Sequence, residues 1–459
     1  MEPQNLRFGG GIGVTLLHPL VAVAILLAIV LILFLPRKHI IVPILLSIFF
    51  IPKGQVVVLA QAHFTAAKIL FLAGLIRWAT SRRSQSGWFA GSFNSVDRLF
   101  IALALLNTIV FSVQWMEIQA LIKSLGDLLD MLGGYFVLRF AIQDNKDVKR
   151  TVKILALIAI VSAACMINEQ LTGSNIFGRL GGIPETIVRD GKIRSQAAFE
   201  VFITAGAFGA TLLPLLVWLW SDEKSRISGL LGMFGATVMT ITCYASTTLV
   251  AYAAGIFSLC LWPLRRQMRL VRWGLLLTLV GLHLVMHGPV WSLIEKVDLT
   301  GSSSSYHRYM LIDNCIRHFG DWWLLGFKGY DTWGFDMWDL SNQYVAYAVS
   351  GGLATLVVFI ALISRSFAGL GTARKLVAGN RKQEWFFWCL GSALFAHVVA
   401  YFGIGYFDQM EFAWLALLAI ICAAVSETKR SPVPLAQVAL APAYPVAHFM
   451  DLDVLETKQ

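Results

Sequence analysis

From Leu20 to Pro36 the chain reads LVAVAILLAIVLILFLP, without one charged or hydrogen-bonding side chain, and comparable runs recur as far as residue 426. A helix needs about 20 such residues to cross a bilayer, because hydrocarbon offers no partner for backbone polar groups and only internal bonding satisfies them. About thirteen candidate spans follow from the runs. They lie near 19–36, 40–52, 64–79, 99–114, 118–140, 152–168, 199–220, 228–244, 247–263, 273–288, 341–364, 384–404 and 411–426. The pattern predicts an all-α, polytopic integral membrane protein of about 12–13 transmembrane helices. The run at 40–52 is short and bounded by Pro43 and Pro52, which fits a half-span or re-entrant segment.

Hydrophobic residues make up 57% of the 459 positions and charged ones 14%, more apolar surface than a soluble domain of this length can bury. The net charge of +10 does not point to nucleic acid, because the cations fall in short segments between apolar runs, where they set topology. These segments are PRKH at 36–39, RWATSRR at 77–83, NKDVKR at 145–150, LRRQMRLVR at 264–272 and ARKLVAGNRK at 373–382. On this reading all five face the cytoplasm, and loops at 169–198 and 289–340 lie on the outer side with the N-terminus. The membrane domain then covers 1–426, and the Pro- and Ala-rich segment 427–459 is a flexible cytoplasmic tail. The first apolar run lacks a small-residue cleavage site and reads as a retained span. Five of the six cysteines lie in apolar segments, and none has the spacing of a disulfide framework or a metal site. No fixed-period repeat is visible.

Two features need explanation. Lys123, Asp127 and Asp130 are spaced to share one face of the fifth span, either as a self-paired polar stripe or as an ion path. Both outer loops also carry cations, against the usual bias, and so call for an anionic partner. The first ends IVRDGKIRSQAAFE, placing Arg189, Lys192 and Arg194 before a span expected from about Phe199, with Arg194 near its anion-favouring N-terminus. The second opens with SYHRYMLIDNCIRHF at 305–319, an amphipathic helix bearing His307, Arg308, Arg317 and His318. Arg317 can pair with Asp313 four residues earlier. The aromatic run DWWLLGFKGYDTWGFDMW follows, suited to a half-wet interface. Two cationic patches far apart in sequence can converge on one lipid-bound diphosphate, which guanidinium groups hold without a metal.

The segments IRSQAAFEVFITAGAFGATLLPLL at 193–216, YASTTLVAYAAG at 244–255 and HRYMLIDNCIRHF with GFKGYD and DLSNQYVAYAVSGGLATLVVFIALI at 307–363 are similar to one known group. They resemble the bacterial O-antigen ligase and O-antigen polymerase superfamily of membrane glycosyltransferases, over roughly 190–365. The resemblance implies a GT-C-like helical fold in the bacterial inner membrane, with a large periplasmic loop carrying amphipathic helices. It implies an inverting transfer of a polyprenyl-diphosphate-linked glycan to a glycan, lipid or protein acceptor in polysaccharide assembly, without metal or cofactor. Arg194 and Arg308 match the family arginines that engage the diphosphate, with Arg189, Lys192 and Arg317 as neighbouring cations.

The family's His-Asn pair reads Ser341-Asn342 here, and its Ser-Arg-Gly reads Ser246-Thr247-Thr248. Asn342 can orient a sugar hydroxyl or cap the next helix. Asp339, His307, His318 and Glu200 are the candidate bases, Asp339 first because it precedes Ser341 by two residues. Two other readings stand beside this one. The chain can be a lipid-linked oligosaccharide flippase or secondary transporter using Lys123, Asp127 and Asp130, or a non-catalytic glycan-lipid-binding component of an assembly complex.

Overall fold

A computed structural model describes residues 15–59, 62–81, 89–181, 186–189, 191–296 and 304–430; most of the tail reading at 427–459 therefore lies outside the described residues. The chain is mostly helical. Helices α1 (Pro19–Phe34), α2 (Ile41–Phe50) and α3 (Ala66–Thr80) precede α4 (Ser95–Trp115), α5 (Ile118–Leu128), α6 (Gly134–Ala141) and α7 (Asn145–Thr172). The central group is α8 (Phe202–Ser221), α9 (Arg226–Thr242), α10 (Ser246–Cys260) and α11 (Met268–Val285). Short α12 (Leu293–Lys296), α13 (Ser304–Arg317) and α14 (Phe319–Trp322) lead to α15 (Gln343–Leu376), α16 (Arg381–Ala400) and α17 (Asp408–Arg430). Among the described residues six helices are long and apolar enough to cross a membrane: α4, α7, α8, α11, α15 and α17.

Local chemistry fixes the helix boundaries. Asn94 and Asp97 form a reciprocal capping box at the start of α4, and Asp144 caps α7, which ends at Gly173 in the left-handed conformation. Helix α9 approaches both α8 and α7 closely through small residues. A Cβ on Gly209 would come within 2.5 Å of the Ala236 carbonyl, and one on Gly235 within 2.8 Å of the Ala159 carbonyl. Such contacts replace the hydrophobic driving force that lipid cannot supply between helices. By contrast, α11 has no buried residue.

Long-range contacts sort the chain reversals to two ends of the bundle. At one end Arg37 pairs with Asp147 at 2.8 Å, Lys149 with Asp222 at 2.7 Å and Arg265 with Glu384 at 3.1 Å, and Arg150 bonds the Lys38 carbonyl. In the same half, Arg139 grips Asp97 with two N–H groups, both side chains at 0% exposure, and Tyr135 donates to the same carboxylate at 2.6 Å. Removing one member of such a buried pair costs about 3–5 kcal/mol. At the other end Gln55 donates to the Leu180 carbonyl, Gln409 to that of Ala198 and Arg308 to that of Gly403.

This second end departs from the sequence expectation in three ways. First, two antiparallel hairpins stand where loops were expected: β1 (Val56–Leu59) with β2 (Ala62–Thr65), and β3 (Ile187–Arg189) with β4 (Lys192–Arg194). Second, Arg194 closes a strand, and α8 begins only at Phe202, so that helix terminus is not what holds it. Third, a π turn at Leu129–Gly133 interrupts the fifth apolar run between α5 and α6. Lys123 pairs with Asp127 within α5 at 2.6 Å, Asp130 in the π turn pairs with Lys68 at 3.1 Å, and all three residues of the expected polar face line one cavity.

The segment between α11 and α15 docks on a break in α15. Gly352 has φ +72°, which interrupts the backbone ladder and leaves the Val349 carbonyl for Phe327 N–H at 2.7 Å and Leu353 N–H for the Trp323 carbonyl at 2.9 Å. Cys315, Trp322, Val345, Ala348 and Val349 form the small core beneath it.

Candidate functional site

Arg194 is positioned by its backbone. Gln170 Nε2 donates to the Ile193 carbonyl at 2.6 Å, and Ser195 N–H donates to the Thr242 carbonyl at 3.2 Å. Just beyond, Glu169 accepts from the Gln196 and Ala197 N–H groups at 3.0 and 3.2 Å. The guanidinium is 8% exposed and lies 4.9 Å from the Phe202 ring centroid. On the same hairpin Lys192 lies 5.4 Å from the Tyr244 ring, while Arg189 is exposed.

Arg308 reaches the same place from α13. Its side chain is 7% exposed, and Nε donates to the Gly403 carbonyl at 3.2 Å. A Cβ on Gly403 would come within 2.6 Å of the Thr247 side chain and 2.9 Å of Arg308 Nε, so glycine lets both approach. Thr247 lies in the first turn of α10, just after the 243–245 link, and Cys243 Sγ in that link lies 3.2 Å from Thr248 Oγ1. Arg194 and Arg308, 114 positions apart in the sequence, are thus both brought to the link from α9 into α10, Arg194 through Ser195 on Thr242 and Arg308 through Gly403 beside Thr247.

His307, Asp339 and Ser341 join Arg308. His307 Nε2 lies 2.8 Å from the Asp336 carbonyl and Nδ1 lies 3.5 Å from Ser341 Oγ. A carbonyl only accepts, so Nε2 carries a proton, and in the neutral ring Nδ1 then presents a lone pair toward Ser341. Burial raises the Asp339 carboxyl above its usual value, opposed by His307 and Arg308 and reinforced by Asp336. Asn342 caps α15: its oxygen accepts from Tyr344 and Val345 N–H, and its amide donates to the Phe402 carbonyl at 3.1 Å. One amide hydrogen is left for any other partner.

The remaining candidates lie elsewhere. Arg317 pairs with Asp313 at 2.6 Å, and His318 stacks on Trp333 at 4.9 Å and contacts Asp321. Arg317 stands nine residues from Arg308 on one helix, about 13 Å along its axis. Glu200 turns the other way, toward Lys53 at 2.7 Å. Lys53 also pairs with Asp408 at 2.6 Å. Burial would lower the lysine, but the Asp408 and Glu200 charges outweigh it and raise its pKa.

Lys53 and Asp408 stand at a cavity of about 500 Å³ among α2, α3, the α5–α6 π turn, α15 and α17. Lys68, Lys123, Asp127, Asp130 and Glu411 also line it, but Arg194 and Arg308 do not. Two segments reach both places: Gln343 lines the cavity next to the α15 cap Asn342, and Tyr401, Asp408 and Gln409 line it from the 401–409 segment that also carries Gly403, while Glu200 contacts the lining residue Lys53. Of the six non-glycine residues with positive φ among the described residues, Ala197 lies just beyond Arg194, Tyr244 lies in the 243–245 link, Asp336 meets His307 and Asp408 lies in 401–409. Such conformations persist where surrounding structure over-determines them, and they cluster at functional sites.

Chemically, two buried guanidiniums beside an imidazole lone pair can hold a leaving anion and accept a proton from an incoming hydroxyl. Among the described residues no group of three His, Cys, Asp or Glu is placed to hold a metal. No protein-family model matches the chain, and no curated protein matches it in sequence.

Proposed function

We propose that this protein transfers a glycan from a polyprenyl-diphosphate carrier to an acceptor hydroxyl at the outer face of a bacterial inner membrane. Arg194 and Arg308 bind the diphosphate. The observation that carries this reading is that two buried arginines are brought to one helix link: Ser195, next to Arg194, bonds the last residue of α9, and Arg308 meets Thr247 of α10 across Gly403. Arginine offers the planar, permanently charged donor array that matches phosphate oxygens. On this reading the helical segments make thirteen passes, the basic end is cytoplasmic with the C-terminus, and the site opens to the periplasm.

In the reaction the acceptor oxygen forms a bond to the anomeric carbon, and the bond from that carbon to the diphosphate oxygen breaks. The electron pair leaves with the diphosphate, where the arginines stabilise it. His307 Nδ1 takes the acceptor proton, with Asp339 beside it. The imidazole reaches from α13 to the Ser341 position, where the resembling family carries its histidine.

The charged cavity favours transport as a second reading, because ionisable groups among helices commonly line solute paths. Its lining also includes Phe100 and Phe359, each 1% exposed. The test is transfer by purified protein from a polyprenyl-diphosphate glycan, with Arg194→Ala, Arg308→Ala and Asp127→Asn compared. Loss with either arginine change and retention with Asp127→Asn supports transfer. Retention with both arginine changes rejects it.

A further inference from the structure

The cavity behind the arginines has its own chemistry. Its volume of about 500 Å³ lies within the ~300–1,000 Å³ of small-ligand sites. Three lysines and four carboxylates line it, and every lysine is already in an ion pair: Lys53 with Asp408, Lys68 with Asp130 and Lys123 with Asp127. A site of this balance does not attract a diphosphate, and its acids do not cluster as metal ligands.

What the cavity lacks is donors for its acceptors. Asp130 Oδ1, Gln409 Oε1 and the Tyr401 hydroxyl are buried without a hydrogen-bond partner among the described residues, and all three residues line it. Gln409 and Tyr401 are 3% and 1% exposed. Buried polar groups are ordinarily paired, so such orphans mark where a bound species belongs. Two are acceptors only and the third can accept, so the species must bring several hydroxyl or N–H donors. Aromatic faces from Tyr347, Tyr406 and Trp414 stand among these polar groups. Rings beside acceptors suit a sugar, which has apolar C–H faces and a rim of hydroxyls.

We propose that this cavity binds a neutral, hydroxyl-rich glycan end. Its assignment to the acceptor, as distinct from glycan binding itself, rests on the transfer reading above. The shared segments 341–343 and 401–409 then place the acceptor glycan on one side and the leaving diphosphate on the other.

The experiment is calorimetric titration of the purified full-length chain with maltotriose, cellotriose and chitotriose, and with trigalacturonic acid as the anionic control. Polyprenyl diphosphate binding is measured in parallel. Ser350→Trp fills the cavity from α15, and Tyr401→Phe removes one orphan hydroxyl while keeping the ring. Neutral trisaccharide binding is expected in the unmodified protein, abolished by Ser350→Trp and weakened about two- to tenfold by Tyr401→Phe, the loss of one neutral hydrogen bond. Lipid diphosphate binding should be unchanged in both variants.

If none of the three neutral sugars binds, if the acid binds as well as they do, or if Ser350→Trp binds normally, the proposal is overturned. Intact lipid diphosphate binding and transfer would then leave the transfer reading standing. Sugar binding with the expected losses, but without lipid diphosphate binding or transfer, upholds the cavity as a glycan site and rejects the transfer reading.

Discussion

His307 Nδ1 lies 3.5 Å from Ser341 Oγ, while its Nε2 is held 2.8 Å from the Asp336 carbonyl. In the neutral ring this fixes the tautomer that leaves an acceptor facing the first residues before α15. His307→Ala is expected to lower transfer by about 10²–10⁴-fold, the usual contribution of a general base. Adding Ser341→His to that variant returns an imidazole to the same neighbourhood and should recover part of the loss. Transfer at the original rate in His307→Ala would remove His307 from the mechanism.

Glu200 gives a pH signature. Burial works against its ionisation, but contact with Asp408 and Lys53 outweighs this and holds its pKa below the ordinary 4.5. Its contribution to stability is therefore fully present above pH 4.5 and is lost as pH falls through the lower folded value. Amide exchange at 51–55 and 198–201 should quicken in that acid window and not in Glu200→Gln, where the charge is already absent. Equal acid sensitivity in both proteins would place the titrating group elsewhere.

Glu169 is 1% exposed and gathers the Gln196 and Ala197 N–H groups beside Arg194. Glu169→Ala leaves those donors without that acceptor, at about 1–3 kcal/mol each. Thermal unfolding should show a lower midpoint, and lipid diphosphate affinity should fall because Arg194 loses its anchored strand end. Glu169→Gln keeps one acceptor oxygen and should lose less on both counts.

Gly352 has φ +72°, and a Cβ there would come within 2.6 Å of the Leu324 carbonyl. Gly352→Ala should cost about 1–3 kcal/mol from backbone strain alone. It should also loosen the aromatic segment that docks on the α15 break. Limited proteolysis near 323–338 measures this, and cleavage no faster than in the unmodified protein would contradict it.

The apolar runs announced the helices because a membrane helix must be apolar along its length, whereas the hairpins were hidden. Val56–Leu59 is a β-branched run, yet its length and position between spans gave it no distinctive period. Arg194 and Arg308 stood out as cations in loops read as outward-facing, but their approach to the link between α9 and α10 could not be read from sequence because it joins distant segments. The cavity was legible only in part. Lys123 and Asp127 do pair, but Asp130 meets Lys68 through a π turn that no composition rule foretells. Lys53 and Glu200 are 147 residues apart and meet only in the fold. Lys68, a cation within an apolar run, was a signal that the sequence did offer.

The central claim is that two guanidiniums hold one diphosphate, and a double-mutant cycle on polyprenyl diphosphate binding tests it most directly. Affinities are measured for the unmodified protein, Arg194→Ala, Arg308→Ala and the double variant, each checked for an unchanged unfolding midpoint. The account predicts a coupling of about 0.5–3 kcal/mol, because both side chains engage the same group. Independent, additive losses, or affinity unaffected by either change, would contradict it.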